Sequence, residues 1–134
     1  WLATQHIDTL IFAGDFLDME LLGRFVDGKP GAIEGRRLSE DFRIGRELFA
    51  EIVKAARTVN PRCRVVLLRG NHESRITNFW SKDPRFAGMF DVPEMLGLED
   101  LGVTYVEADT AGDVFRLEWF PNGRVFGCTR KMTD

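Results

Sequence analysis

Two short apolar runs, each ended by a glycine and then by polar residues, constrain the fold of this chain more than any other feature. The run DTLIFA, residues 8–13, precedes Gly14, and the run RVVLLR, residues 64–69, precedes Gly70. Continuous apolar runs of this length, bounded by turn residues, are typical of strands buried on both faces of a sheet. We therefore predict two buried β-strands that deliver polar side chains at their carboxyl ends.

The segment between the two strands predicts one helix. Ser39 is a preferred N-cap residue, and Asn60-Pro61 stops a helix at about Val59. Apolar residues recur within this stretch at spacings of three, four or their sum: Phe42, Phe49, Ile52, Val53 and Ala56. The glycine-rich residues 19–37 predict an irregular insertion before the helix. Strand, helix and strand make a βαβ unit with a parallel pair, so both polar clusters should lie at the same edge of the sheet.

The rest of the chain predicts shorter elements. We expect helical stretches around residues 76–80 and 92–98, a third strand at 103–107, and an antiparallel hairpin that joins 114–120 to 124–128 through Asn122-Gly123. The first five residues resemble the end of an amphipathic helix. The sheet as a whole is therefore predicted to be mixed.

Composition excludes several classes of protein. A chain of 134 residues that is 44% hydrophobic suits one domain or part of one, and its net charge of -3 gives no overall attraction to nucleic acid or an anionic membrane. No apolar stretch reaches the roughly 20 residues that cross a bilayer. Cys63 and Cys128 form no CxxC motif, which favours packed thiols in a reducing, cytoplasmic setting. Because the chain begins at Trp1, we expect that it was cut from a longer one.

The two polar clusters carry the chemistry. The first, GDFLD, contains Asp15 and Asp18, and the second, GNHE, contains Asn71 and His72. Carboxylate, amide and imidazole groups that converge at one sheet edge suit a divalent metal of intermediate hardness. A glycine before each cluster lets the chain turn sharply there.

GDFLD followed downstream by RGNHE resembles the calcineurin-like metallophosphoesterase family, whose pattern includes GDxxD and then GNH[DE]. The matching stretch runs from about Asp8 to Arg75. The resemblance implies an α/β fold, a four-layer α/β/β/α sandwich with a mixed sheet. We expect residues 1–134 to form part of one such domain, truncated at both ends. Met19 and Glu20 after Asp18 differ from the protein-phosphatase motif GDxVDRG, so the bacterial and phage members are the more similar branch.

The resemblance also implies a role for each matched residue. Asp15 would bridge two divalent metal ions, commonly Mn, Fe or Zn, and Asn71 would ligate the second ion. His72 would act at the leaving-group oxygen as general acid or hydrogen-bond donor, and Asp18 would orient its imidazole. Arg75, directly after the motif, is a candidate for substrate binding. The implied substrates are phosphate mono- or diesters, which include nucleotides and nucleic acid, with no membrane partner.

The chain departs from the family pattern in its histidines. The family also has Asp-x-His before GDxxD, a lone His after GNH[DE] and Gly-His-x-His near its end, whereas this chain contains only His6 and His72. We therefore expect little metal binding or turnover from residues 1–134 alone. A non-catalytic scaffold of this fold and a Ser/Thr protein phosphatase-like enzyme remain alternatives. A nucleotide-binding α/β domain is a weaker one, since no GxGxxG or GxxxxGK[ST] loop is present.

Each candidate residue also has a simpler structural interpretation. Asp15 and Asp18 could cap backbone amides in a turn, and Asn71 could cap a helix. We expect Glu73 to cap the backbone or pair with an arginine rather than bind metal. Two groups of side chains have two interpretations each. The arginines 36, 37, 43 and 46 suit either a polynucleotide-binding face or a solvated helix face. The aromatic residues Phe79, Trp80, Phe86 and Phe90 suit either an apolar rim for a ligand or core packing.

Overall fold

The computed structural model describes residues 1–107, and within them three parallel strands form one sheet in the order β1-β2-β3. The strands are β1 (Thr9–Phe12), β2 (Arg64–Leu68) and β3 (Val103–Val106). In the register, Thr9 lies opposite Arg64, and Val65 lies opposite Val103. The three predicted strands and the parallel βαβ pairing are confirmed, so the carboxyl ends of β1 and β2 do meet at one edge of the sheet.

The described residues contain three α-helices and four short 3₁₀ helices. The α-helices are α1 (Leu38–Ala56), α2 (Ser74–Lys82) and α3 (Val92–Leu96), and the 3₁₀ helices span Leu2–Thr4, Glu20–Leu22, Pro30–Ile33 and Pro84–Phe86. The glycine-rich insertion thus forms only two short 3₁₀ turns, in line with its prediction as irregular. The first residues also form a 3₁₀ turn rather than the end of an α-helix.

One face of α1 covers the sheet. The helix buries Phe42, Phe49, Val53 and Ala56, which the spacing of apolar residues had marked. The Phe49 ring is fully buried and lies 4.5 Å from the ring of Phe12 at the end of β1 and 5.0 Å from that of Phe16 in the next loop. Aromatic contacts at these separations stabilise a core beyond the area they bury. This cluster therefore ties α1 directly to the segment that follows β1.

The position of β2 at the centre of the sheet explains why all of its residues after Arg64 are apolar. Val65 and Leu67 of β2 are fully buried, and Val66 and Leu68 are only 7% and 6% exposed. A parallel strand between two partners and under a helix has no solvent-facing side, so alternation of polar and apolar residues is not expected.

Arg57, directly after α1, links the helix to the two following strands. Its guanidinium donates to the main-chain oxygens of Cys63, Leu101 and Gly102 at 3.2, 2.5 and 3.2 Å. Cys63 is a buried free thiol, and burial raises the pKa of that thiol. The prediction of a packed thiol is confirmed for Cys63, while Cys128 lies outside the described residues.

The predicted antiparallel part of the sheet falls on residues 114–128. The described sheet is parallel, and the hairpin predicted for 114–128 lies outside residues 1–107. The mixed sheet and the four-layer sandwich therefore stay predictions. None of the described helices is long and apolar enough to cross a membrane.

Replacing Phe49 with Ala should lower the free energy of unfolding by about 3–5 kcal/mol, because the change opens a cavity between α1 and the end of β1. Phe25→Ala is the matched control, since this phenylalanine is 68% exposed, and it should change the value by less than about 0.5 kcal/mol. Urea unfolding followed by circular dichroism measures both. Equal stability losses in the two variants would contradict the assigned core.

Candidate active site

The loops that follow β1 and β2 approach each other backbone to backbone. Gly14 has a φ of 94°, and a Cβ at this position would lie 2.8 Å from the Cα of Gly70. A Cβ on Gly70 would in turn overlap the backbone nitrogen and the carboxylate of Asp15. Glycine is therefore required at both positions for close approach, and at Gly14 also for its left-handed backbone. The sequence had indicated only the sharp turn.

Asp15 adopts a backbone conformation that is uncommon for a residue with a side chain. Its φ is 53°, in the left-handed region that Asp tolerates better than most residues. Its backbone N–H donates to Oε2 of Glu73 at 2.9 Å, and its Oδ1 accepts the backbone N–H of His72 at 2.9 Å. Hydrogen bonds to the second loop thus hold Asp15 at both its backbone and its carboxylate. Strained residues held in this way are concentrated at functional sites.

The side chains of Asp15 and Asn71 meet between the two loops. The amide of Asn71 lies 2.9 and 3.2 Å from the two carboxylate oxygens of Asp15. With its nitrogen toward the carboxylate, the amide donates hydrogen bonds; with its oxygen toward the carboxylate, the two groups repel unless a cation lies between them. An acid and an amide that converge at this range fit one part of a divalent metal site.

The described residues contain no larger cluster of candidate ligands around Asp15 and Asn71. Within residues 1–107, no group of three or more His, Cys, Asp and Glu side chains is close enough to hold a metal ion. Asp15 and Asn71 are thus the two ligand candidates that the sequence predicted and that the fold brings together.

His72 and Asp18 lie beside this pair. The Nδ1 of His72 is 3.5 Å from the Oδ1 of Asp18, and their side chains are 27% and 71% exposed. A contact this exposed contributes little free energy, but it favours one direction of the imidazole ring. The general-acid role of His72 and the orienting role of Asp18 stay predictions, and this geometry agrees with both.

Arg75 reaches the first loop from α2. Its Nη1 donates to the main-chain oxygen of Asp18 at 2.7 Å, and the same atom would be 3.5 Å from a Cβ on Gly23. The guanidinium therefore fixes the end of the GDFLD segment against the glycine-rich insertion. Its predicted contact with substrate stays a prediction.

Glu73 caps backbone groups, as one of its two predicted roles required, but it is more deeply buried and joins more of the chain than the sequence indicated. It is 2% exposed, and its carboxylate accepts backbone N–H groups from Asp15, Leu17 and Gly70 rather than pairing with an arginine. It also occupies the N-cap position of α2, so Asn71 does not cap that helix. The available signal was an acid directly after Gly-Asn-His, at the point where a strand leads into a helix.

Three of the four arginines of α1 and the segment before it, Arg36, Arg43 and Arg46, form ion pairs at the surface. Arg43 pairs with Glu40 at 2.6 Å and with Glu47 at 2.7 Å, and hydrogen bonding to these acids raises the pKa of Arg43. Arg36 pairs with Glu20 at 2.6 Å. This arrangement favours a solvated helix face over a polynucleotide surface.

The aromatic residues near the end of α2 and in the segment after it pack against one another. The ring centroid of Phe79 lies 5.5 Å from that of Phe86, and the centroid of Phe90 lies 6.3 Å from those of Phe79 and Trp80. Contacts among the four rings favour packing over an open apolar rim.

An acid, an amide and an imidazole at the carboxyl edge of a parallel sheet define an α/β protein with a candidate metal and phosphate-ester site. The family model described as calcineurin-like phosphoesterase matches residues 2–130, and the chain belongs to this family. No curated protein and no solved structure matches the chain.

Membership gives the general activity. The family hydrolyses phosphate esters and generally uses divalent metals, so the predicted class of enzyme, substrate and cofactor is confirmed at this level. The match also extends well beyond the stretch from Asp8 to Arg75 on which the motifs lie.

Replacing Gly70 with Ala should lower the free energy of unfolding by about 1–3 kcal/mol, because the new Cβ overlaps Asp15 and forces the two loops apart. Gly31→Ala is the control, since a Cβ there meets nothing within 4 Å, and it should change the stability by less than about 1 kcal/mol. Urea unfolding compares the two. A Gly70→Ala variant as stable as the starting protein would contradict the close approach of the loops.

Proposed function

We propose that this chain carries one side of a dinuclear, metal-dependent phosphoesterase site that hydrolyses phosphate mono- or diesters. The observation that supports it most is the convergence of the Asp15 carboxylate and the Asn71 amide at 2.9 and 3.2 Å, with His72 next in the chain. Bound divalent cations, for which we propose Mn, Fe or Zn, supply the activation of water for attack at phosphorus and neutralise phosphoryl charge.

The roles of the chain's own residues follow from their chemistry. Asp15, with two carboxylate oxygens and a negative charge, and Asn71, through its amide oxygen, are the residues that would hold the cations. The contact with Asp18 at Nδ1 of His72 leaves Nε2 as the ring atom that can donate a proton to the leaving-group oxygen. Arg75 remains a candidate for a charge-assisted contact with the phosphoryl group.

The remaining ligands are proposed to come from a longer form of the protein. The chain contains two histidines, and the family pattern needs several more ligands than Asp15 and Asn71 provide. We therefore propose that the 134 residues alone bind metal weakly and turn over little substrate. The proposed weak metal binding and low turnover rest on the small number of ligands that this chain supplies. A non-catalytic scaffold is the alternative that the same observation favours.

The finer assignments are also proposals. Met19 and Glu20 after Asp18 support the bacterial and phage branch over a Ser/Thr protein phosphatase-like enzyme. The two cysteines of the chain, which form no CxxC motif, support a reducing, cytoplasmic location. Arg36 and Arg43 are engaged in ion pairs with acidic side chains, so they are less suited to bind nucleic acid phosphates. We therefore favour small phosphate esters or nucleotides as substrates over nucleic acid polymers.

His72→Ala should lower kcat about 10²–10⁴-fold, the usual contribution of a positioned general acid. The assay uses an aryl phosphate with Mn²⁺ and the longest natural form of the protein. His6→Ala is the matched control and should retain the starting rate, since His6 is exposed and contacts Asp8 at the other end of β1. Undiminished hydrolysis by His72→Ala would exclude the proposed role. Parallel assays with aryl mono- and diesters separate a phosphatase from a nuclease.

Calorimetric titration of the 134-residue chain with Mn²⁺ tests the partial ligand set. We expect binding weaker than micromolar, reduced further by Asp15→Asn because the amide removes the negative charge, and unchanged by the exposed control Asp100→Asn. Two sites of micromolar affinity in this chain would contradict both the partial site and the scaffold.

A further inference from the structure

A single buried carboxylate joins the two loops of the candidate site. The Oε2 of Glu73 accepts the N–H groups of Asp15 and Gly70, each at 2.9 Å, and its Oε1 accepts that of Leu17 at 3.1 Å. Asp15 and Leu17 belong to the loop after β1, whereas Gly70 and Glu73 follow β2. Because hydrogen bonds to a charged acceptor are about twice as strong as neutral ones, this cluster is a rigid link between the loops.

The carboxylate fills a site that could otherwise hold an anion. Backbone N–H groups that converge on one point form a nest for phosphate or carboxylate groups. Here the three amides converge on an acid of the same chain, which is only 2% exposed. These three amides are therefore not free to bind a substrate phosphoryl group.

Glu73 does not act as a further metal ligand in this arrangement. Both of its oxygens accept backbone N–H groups, and one of them accepts two. Moving the carboxylate toward a cation would leave three amide groups without their acceptor, at a cost for each buried group. Its effect on chemistry must pass through the residues that it holds.

The residue that it holds most directly is Asp15. The hydrogen bond from the backbone N–H of Asp15 to Glu73 fixes the left-handed backbone of Asp15, whose φ is 53°. That backbone conformation sets the direction of the Asp15 carboxylate, which faces the Asn71 amide and accepts the backbone N–H of His72. Without the hydrogen bond to Glu73, the unfavourable φ of Asp15 would lose one of the contacts that stabilise it.

We propose that Glu73 is a positioning residue, whose carboxylate occupies the nest formed by the amides of Asp15, Leu17 and Gly70 and thereby fixes the Asp15 carboxylate opposite Asn71. The placement of Asp15 does not depend on the activity of the protein. The consequence for hydrolysis rests on the proposed function. Two experiments separate these parts.

The first experiment measures amide hydrogen exchange by NMR on the 134-residue chain. In the starting protein, the amides of Asp15, Leu17 and Gly70 should be protected although all three lie outside strands and helices. In Glu73→Gln, which replaces one acceptor oxygen by a donor, the three amides should exchange at least about tenfold faster. Glu51→Gln, an exposed change on α1, should leave them unaltered.

A purely global loss of stability has a different result. Leu96→Ala opens a cavity at a fully buried position of α3 and should increase exchange in the core without a selective effect on these three amides. Unprotected amides at all three positions in the starting protein would overturn the proposal, even if Glu73→Gln does not fold. Unchanged protection in a folded Glu73→Gln variant would overturn it as well.

The second experiment uses the longest natural form of the protein with Mn²⁺ and an aryl phosphate. Glu73→Gln should lower kcat and raise the Mn²⁺ concentration for half-maximal rate at least about tenfold, with KM for the ester little changed, because Asp15 and not the substrate has moved. Added Mn²⁺ should restore part of the rate, and Leu96→Ala should retain the starting Mn²⁺ dependence. An unaltered Mn²⁺ dependence in Glu73→Gln would overturn the positioning role. If the starting protein hydrolyses no ester, the proposed function fails, and the exchange experiment alone decides the placement of Asp15 by Glu73.

Discussion

The arrangement of the candidate site depends on the hydrogen bonds between the Glu73 carboxylate and three backbone amides. The two strand-end loops approach each other backbone to backbone, so their buried polar backbone groups need hydrogen-bond partners. The carboxylate supplies such a partner, and the absence of a Cβ at Gly14 and Gly70 supplies the space. The glycines and the carboxylate are both required. A bulkier residue at position 14 or 70 would keep the amides out of reach of Glu73, and an apolar residue at position 73 would leave the amides unpaired.

The hydrogen bonds of Glu73 explain how the loop after β1, which lies outside strands and helices, can hold a defined geometry. The loop after β1 contains two non-glycine residues with positive φ, Asp15 and Met19, and Met19 is also buried. Below the loop, the rings of Phe12, Phe16 and Phe49 anchor it to the sheet and to α1. The polar link on one side and the aromatic cluster on the other leave the Asp15 carboxylate little freedom. A ligand oriented in this way loses less conformational entropy when it binds a cation.

Much of this could be predicted from the sequence, and the rest could not for physical reasons. Apolar runs and helical spacing located β1, β2, β3 and α1, because local patterning follows burial on a sheet or under a helix. The end of α1 was placed three residues too late, since Arg57 leaves the helix to bind the main chain beside β2 and β3. Glu73 was expected to cap the backbone or pair with an arginine, and its burial between the loops could not be predicted, because two of its three partners lie 56 and 58 positions away.

The sequence by itself determined the strands, the parallel order that sends their polar ends to one edge, and the types of side chain available there. It also determined that two histidines are present in the chain, which limits the ligands it can offer. Only the tertiary structure decided that Asp15 and Asn71 face each other within 3.2 Å, that Gly14 and Gly70 touch, and that a buried acid joins the loops. These features depend on contacts between residues far apart in the chain, and no local pattern encodes such distances.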